Sequence, residues 1–195
     1  MTMPYFSRIL KESIPILFLL LLGELMAGVI LQEGEASFAL IPGLLILLPA
    51  ILSLRGNVSS ALASRFGSYL HMGLVKPEMG MGIFKKKVVK ENFYASMVLN
   101  IIMSAALGVF AYFAAVLTGA TDANIIVLTF IALVAGILSG FFLVFLTIFL
   151  ALFTSSKGMD PDNVLSPTVA TIGDIFTVLF LFLVADIAIM IWPMV

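Results

Sequence analysis

The chain has no cysteine and a single histidine, His71, and only 11% of its 195 residues are charged. Without cysteine there are no disulfides, no thiolate metal sites and no cysteine nucleophile. A lone histidine excludes paired-histidine metal motifs and argues against Ser-His-Asp chemistry, and neither an HExxH run nor a Gly-x-Ser-Gly turn occurs. The expectation is a protein that is not an enzyme. A net charge of −1 offers nothing to a phosphate backbone, so no nucleic-acid partner is expected.

What is present in excess is apolar. Hydrophobic residues make up 62% of the chain and the mean hydropathy is +1.22, whereas soluble domains carry about 25% charged residues. The first apolar run is too long for a signal-peptide core and no small-residue cleavage site follows it, so it reads as a retained span. A spanning helix needs about 20 apolar residues. Five segments qualify: 14–31, interrupted by Glu24; 38–54, containing Pro42 and Pro49 and continuing as a bent helix to 70; 93–117; 125–153; and 168–192, carrying Asp174 and Asp186. The fold class is an all-α integral membrane protein with five transmembrane helices per subunit.

Orientation follows from the basic residues. Arg8 and Lys11 precede span one, Lys157 lies between spans four and five, and Arg55, Arg65, Lys76, Lys85, Lys86, Lys87 and Lys90 are assigned between spans two and three. The other two loops hold only Glu33, Glu35 and Asp122. The positive-inside rule then puts the N-terminus in the cytoplasm and the C-terminus outside, in a multi-pass cell-membrane protein. The basic stretch 79–93 either lies flat among the headgroups of the inner leaflet, lysines toward anionic lipid, or is a loop that sets topology. In span four, Ala132, Gly136 and Gly140 form a small-residue stripe that suits close helix packing, within one subunit or between two.

Asp174 is the most informative residue. An ionised carboxylate within a bilayer costs at least ~2.5–3.5 kcal/mol on an insertion scale, and such residues face water, a partner or an ion. Ser166-Pro167 reads as an N-cap and first helical residue, which puts Asp174 about two turns into the last helix. Gly158, Pro161 and Pro167 argue for irregular backbone ahead of it, with carbonyls free to meet a cation or its water shell. Hard cations take oxygen ligands, and Mg²⁺ keeps several waters while touching one or two carboxylates. The plainer reading is an Asp hydrogen-bonded to a neighbouring helix. Glu24 is a second intramembrane acid: a proton-titrating group, a cation ligand or a neutral packing residue. Asp186, about 120° around the helix from Asp174, is a vestibule acid or an interface residue. Gly56-Asn57 reads as a turn or as a helix break facing a pore. Asn100 reads as an interhelical hydrogen-bonder and His71 as solvated.

Two stretches carry a family resemblance. Leu47 to Arg65, with Pro49, Gly56-Asn57 and Ala63-Ser64-Arg65, resembles the signature of the eukaryotic solute-carrier magnesium transporters, relatives of the MgtE magnesium channels. Gly158-Met-Asp-Pro-Asp, followed by Ser166-Pro-Thr-Val-Ala-Thr-Ile-Gly-Asp174, is similar to the fifth-helix motif of MgtE, in which Asp-Pro precedes Pro-x-x-Thr-Thr-x-x-Asp. The resemblance covers nearly the whole chain and implies one MgtE-like transmembrane domain over 1–195, without the cytoplasmic regulatory region of MgtE. It implies Mg²⁺ as the transported ion, with other divalent cations open, and a homodimer whose pore is lined by the second and fifth helices. The family's metal-site positions fall on Asp174, the Ala170 carbonyl, Gly56 and Asn57; Glu24, Ser166, Thr171 and Asp186 are secondary candidates. Arg55 stands where MgtE has glycine, Ala61 replaces a polar residue, and Glu24 has no assigned counterpart. Three functions remain open: a divalent-cation channel or transporter, a proton- or sodium-coupled exchanger using Glu24 with Asp174, and a non-conducting membrane subunit that docks a soluble partner on its basic loop.

Overall fold

A computed structural model describes residues 4–34, 40–75, 81–157 and 161–193. Among them are five long helices and no strand: α1 (Pro4–Glu33), α2 (Leu44–His71), α3 (Lys87–Leu117), α4 (Ile125–Ser156) and α5 (Pro161–Ile191). All five are long and apolar enough to cross a bilayer. A short 3-10 turn, Met81–Lys85, precedes α3.

Apolar side chains, around most of the circumference in every helix but α2, drive these segments into helices, because only an intrasegment ladder satisfies the backbone in lipid. Asn124 starts α4 by accepting from the amides of Ile126 and Val127. Gly43 precedes α2 at φ 91°, and a Cβ there would come within 2.9 Å of both Ala115 and Leu128. Glycine thus supplies a left-handed turn and a close approach together.

The contacts fix helix direction. Gly108 lies against Thr129, Ser104 against Gly136, Asn100 against Gly140 and Phe93 against Phe145, so α3 and α4 run antiparallel. Ser60 meets Ser166 and Arg55 meets Asp174, so α2 and α5 are antiparallel. Gly23 meets Thr171 and Gly34 meets Phe182, so α1 and α5 are parallel. The starts of α1, α3 and α5 therefore share one end with the finishes of α2 and α4. That end carries Lys11, Arg65, Lys85, Lys86, Lys87, Lys90 and Lys157; the opposite end carries Glu33 and Asp122. Helices α2 to α5 form a bundle, while α1 packs substantially on α5 alone and leaves most of its apolar surface exposed.

Two apolar clusters fill the bundle. One, at the acidic end, joins Leu44, Leu47, Leu48 and Ile51 to Leu128, Ile131, Val178 and Leu181, with Ile30 and Leu31 of α1 against it. The other, at the basic end, joins Leu62, Phe66 and Val75 to Leu143, Ile148, Leu165 and Val169.

Several expectations are corrected. α2 is helical without interruption through Gly56 and Asn57, so there is no break there; a break would strand backbone groups at membrane depth. Arg55, counted among the basic residues between spans two and three, lies inside this helix and is buried. α5 begins at Pro161, so Ser166 and Pro167 are helical rather than an N-cap pair. Proline within a helix still removes one N–H, leaving the Asn163 carbonyl without its usual donor, and Thr168 Oγ1 bonds the next carbonyl, Val164, at 2.6 Å. The described part of the 79–93 stretch is neither one flat segment nor a plain loop but the 3-10 turn running into α3, with Ile83 buried and the lysines exposed. Gly136 and Gly140 admit Ser104 and Asn100 of α3 within the same subunit. Asn100 donates to Ser96 O of its own helix at 3.0 Å rather than across helices. Gly158, Asp160, Lys76 and Glu35 lie outside the described residues.

Candidate functional site at the α1, α2 and α5 junction

Three ionisable side chains from three helices converge near mid-span. Asp174 stands 13 residues after the first residue of α5, about 20 Å along its axis at 1.5 Å per residue. This is nearly four turns in, deeper than the two turns expected from a start at Pro167. Arg55 of α2 donates through Nη2 to Asp174 Oδ1; its side chain is 3% exposed and that of Asp174 is 26% exposed. Glu24 of α1 comes within hydrogen-bonding reach of the Asp174 carboxyl and within the electrostatic range of Arg55.

Two glycines make the convergence sterically possible. A Cβ on Gly173 would overlap Arg55 Nη1 and sit 2.8 Å from Leu143 Cδ2, so the guanidinium occupies the space that a side chain would take. A Cβ on Gly23 would lie 2.7 Å from Thr171 Cγ2, so α1 rests on α5 one residue before Glu24. Each acid thus follows a glycine that lets its helix approach a neighbour closely.

Arg55 is incompletely satisfied. Its Nε and Nη1 are buried and have no hydrogen-bond partner among the described residues. A guanidinium offers five donors and is always charged, and buried polar groups are ordinarily paired. The cluster therefore holds one cation and two carboxyl groups, with donor capacity to spare on the cation.

The surroundings differ along α5. Pro167, Ala170 and Asp174 share one face and are half-buried, whereas Val178 and Leu181 further along that face are 2% and 0% exposed. The face is open from Asp174 toward the basic end and sealed by the apolar cluster toward the acidic end. The Ala170 carbonyl sits one turn before Asp174 and, inside a continuous helix, accepts the Asp174 amide.

The other candidate positions lie elsewhere. Asn57 is exposed and a Cβ on Gly56 would meet nothing within 4 Å; at 100° per residue Asn57 points about 200° from Arg55. Ser166 pairs with Ser60 at 3.3 Å. Thr171 is buried against α1. Asp186 is exposed beside an outer hollow of about 590 Å³ that includes Phe176, Phe180 and Met190. Among the described residues, no three acidic or histidine side chains of one copy converge on a point.

Two features escape the sequence reading. Arg55 is one; it reads only as a cation that sets topology, although an arginine in an apolar helix bears the same cost as Asp174. The other is a face of α2 on which Ser53, Asn57, Ala61, Ser64 and Ser68 are exposed and Ser60 is half-buried. From Ile46 to His71, α2 exposes no large hydrophobic side chain, whereas α1 exposes Leu17, Phe18, Leu21, Leu25 and Met26. The spacing of three and four residues is the signal that could have found it.

Five helices long and apolar enough to cross a bilayer, with an ionisable cluster where three of them meet, define a multi-pass membrane protein. A family model described as "MgtE: Divalent cation transporter" matches residues 48–184; the chain belongs to the MgtE family of divalent cation transporters. Solute carrier family 41 member 2 of Homo sapiens and of Macaca fascicularis are each 29% identical to it over 191 residues, covering 90% of the chain and 31% of their own length. Solute carrier family 41 member 3 of Rattus norvegicus is 25% identical over 188 residues, covering 92% of the chain and 39% of its own length. The chain spans about a third of the length of these relatives.

Proposed function

We propose that the chain transports divalent cations, Mg²⁺ foremost, as a homodimer with its N-terminus in the cytoplasm, and that Asp174 is the principal cation-binding acid. The observation that carries this reading is the exposed polar face of α2. Its small and polar residues from Ser53 to Ser68 extend for about 22 Å at 1.5 Å per residue. Such a surface has no counterpart in hydrocarbon and belongs against water or a second subunit. Ser60, at its edge, meets Ser166 of α5, so the face borders the helix that carries Asp174. A second copy across this face encloses a hydrated route along α2 and α5.

Chemistry supports the same assignment. One copy supplies two carboxyl groups, Glu24 and Asp174, and Mg²⁺ retains most of its water while touching one or two carboxylates. A homodimer offers four such groups around its axis. Gly56 and Asn57, on the open face, line the approach, and the Ala170 carbonyl lies one turn from Asp174. In this reading Arg55 is the resident counter-ion of Asp174 in the absence of metal, and an arriving dication displaces it. Removal of a dication restores the pair.

A second reading is an exchanger, favoured by the closeness of Glu24 to Asp174. Two neighbouring acids bind a dication, or a proton or Na⁺ in its place. The sealed acidic end supports alternating exposure of the site over a permanently open pore.

The test is Mg²⁺ uptake into liposomes containing the purified protein. Wild type is expected to load Mg²⁺ and Asp174→Asn to lose at least about 90% of that flux, the size expected for loss of one charge-assisted contact. Undiminished flux in the variant at equal incorporation overturns the assignment.

A further inference from the structure

A groove unrelated to the ion cluster opens at the basic end of the bundle. It has a volume of about 390 Å³ and is lined by Phe84, Val89, Lys90, Phe93, Tyr94 and Phe145. Three elements wall it: the 3-10 turn, α3 and α4. Their rings brace one another, with Phe84 5.1 Å and Phe93 5.6 Å from Phe145 between ring centroids. Tyr94 is 66% and Phe145 38% exposed, so the aromatic wall is open on the outer surface of the bundle.

Lysines dominate the charge above the groove. Lys85, Lys86, Lys87 and Lys90 are all exposed, and Lys90 lines the groove itself. At 100° per residue, Lys87, Lys90, Phe93 and Tyr94 fall on one face of α3, with Lys86 at its N-cap, so lysines give way to rings along a single stripe. Lys87 pairs with Glu91 at 3.7 Å, and both side chains of that exposed pair remain well solvated, so the pair contributes little. A spanning helix that begins at Lys87 brings this transition to the depth where headgroups meet acyl chains.

We infer that this groove is a binding site for a phospholipid with an anionic headgroup, its acyl chain among Phe84, Phe93 and Phe145 and its phosphate on Lys86, Lys87 and Lys90. Charge complementarity selects the headgroup. A zwitterionic lipid fills the aromatic channel equally well but presents no net charge to the lysines. An ordinary lipid-facing surface offers apolar contact without this selection, which sets the site apart from the exposed leucine surface of α1.

The experiment is native mass spectrometry of the detergent-purified full chain titrated with dioleoyl phosphatidylglycerol or dioleoyl phosphatidylcholine. The first phosphatidylglycerol is expected to bind on the order of tenfold more tightly than the first phosphatidylcholine. Lys86→Gln/Lys87→Gln/Lys90→Gln should reduce that preference to within about twofold, while the corresponding triple arginine variant keeps it. Phe145→Trp, which fills the groove, should weaken the binding of both lipids. Equal affinities in the wild type, or a preference unchanged by loss of the lysines, overturns the site. Displacement of phosphatidylglycerol by millimolar inorganic phosphate also overturns it, since the lysines then hold a free anion without need of the groove. Because the readout is lipid retention, it stands or falls separately from cation transport.

Discussion

Arg55 reaches from α2 to the carboxylate of Asp174 through space left by the missing side chain of Gly173. Two consecutive residues of α5 thus act together: the glycine admits the guanidinium and the aspartate binds it. The pair also explains how an arginine and an acid persist in a helix bundle where either alone would be costly.

Removing the arginine should destabilise the protein in a way that metal repairs. Loss of one member of a fully buried pair costs about 3–5 kcal/mol; partial exposure of Asp174, at 26%, reduces the expectation to about 1–3 kcal/mol. Arg55→Gln is expected to lower the unfolding temperature in Mg²⁺-free buffer and to recover most of the loss in millimolar Mg²⁺, which takes over as counter-ion. Arg55→Gln combined with Asp174→Asn should be less destabilised than the sum of the single variants. Thermal unfolding followed by circular dichroism, with and without Mg²⁺, checks both statements. Additive losses that are insensitive to Mg²⁺ would contradict the counter-ion role.

The Gly173 and Gly56 positions give a matched comparison. Gly173→Ala drives a methyl group into Arg55 and Leu143, whereas Gly56→Ala meets open space. Overpacking in a tight interior costs about 1–3 kcal/mol, while alanine in a helix is about 1 kcal/mol more favourable than glycine. Gly173→Ala should therefore lower stability and transport together. Gly56→Ala should leave the fold of the isolated subunit intact, so any transport defect it causes reports on the route or on a second copy. Equal effects at the two positions would show that the packing around Gly173 is looser than described.

How far the sequence reveals this site depends on the kind of signal. Asp174 and Glu24 are legible because an acid within an apolar run is rare, and the stretch that ends at Asp174 resembles the fifth-helix motif of MgtE. Helix number and the charge asymmetry of the two ends follow from run lengths and lysine positions. Arg55 is obscured because it sits beside Gly56-Asn57, a pair that looks like a turn or a helix break, so the arginine reads as one of the cations between spans. Tertiary packing and the absence of backbone solvation in lipid keep that helix intact. Ser166-Pro167 misleads for a related reason: a capping pair is local chemistry, and α5 begins six residues earlier at Pro161. The polar face of α2 is spread over 16 positions from Ser53 to Ser68, and each serine alone is ordinary in a membrane helix. The pairing of one helix face with another depends on three-dimensional packing that no local pattern encodes.

Glu24 separates the two transport mechanisms. If the acid only shapes the electrostatic environment of Asp174, Glu24→Gln should weaken Mg²⁺ flux by roughly fivefold to tenfold, equivalent to about 1–1.4 kcal/mol, with the same dependence on voltage. If it carries the exchanging ion, Glu24→Gln should abolish flux driven by a proton or Na⁺ gradient while preserving metal-dependent stabilisation through Asp174. Liposome uptake measured at clamped potential, with and without each gradient, distinguishes the outcomes. A variant indistinguishable from wild type in every arm removes Glu24 from the site.

The absence of cysteine makes the proposed route along α2 directly accessible to labelling. Single cysteines at Ser53, Asn57, Ser64 and Ser68 follow the exposed polar face, and a charged, membrane-impermeant thiol reagent reacts only with the hydrated thiolate. These four positions are expected to be modified in liposomes, whereas Leu17→Cys and Phe18→Cys on the apolar surface of α1 are not. Labelling at Asn57→Cys should be slowed severalfold by saturating Mg²⁺ and should itself reduce transport. A positive adduct introduced there repels an arriving dication, by roughly 2 kcal/mol at 4 Å in water and more where water is sparse. Protection of the polar face to the same degree as α1, in the presence and absence of detergent, would mean that a second subunit or lipid covers it without a hydrated gap, and the transport route would have to lie elsewhere.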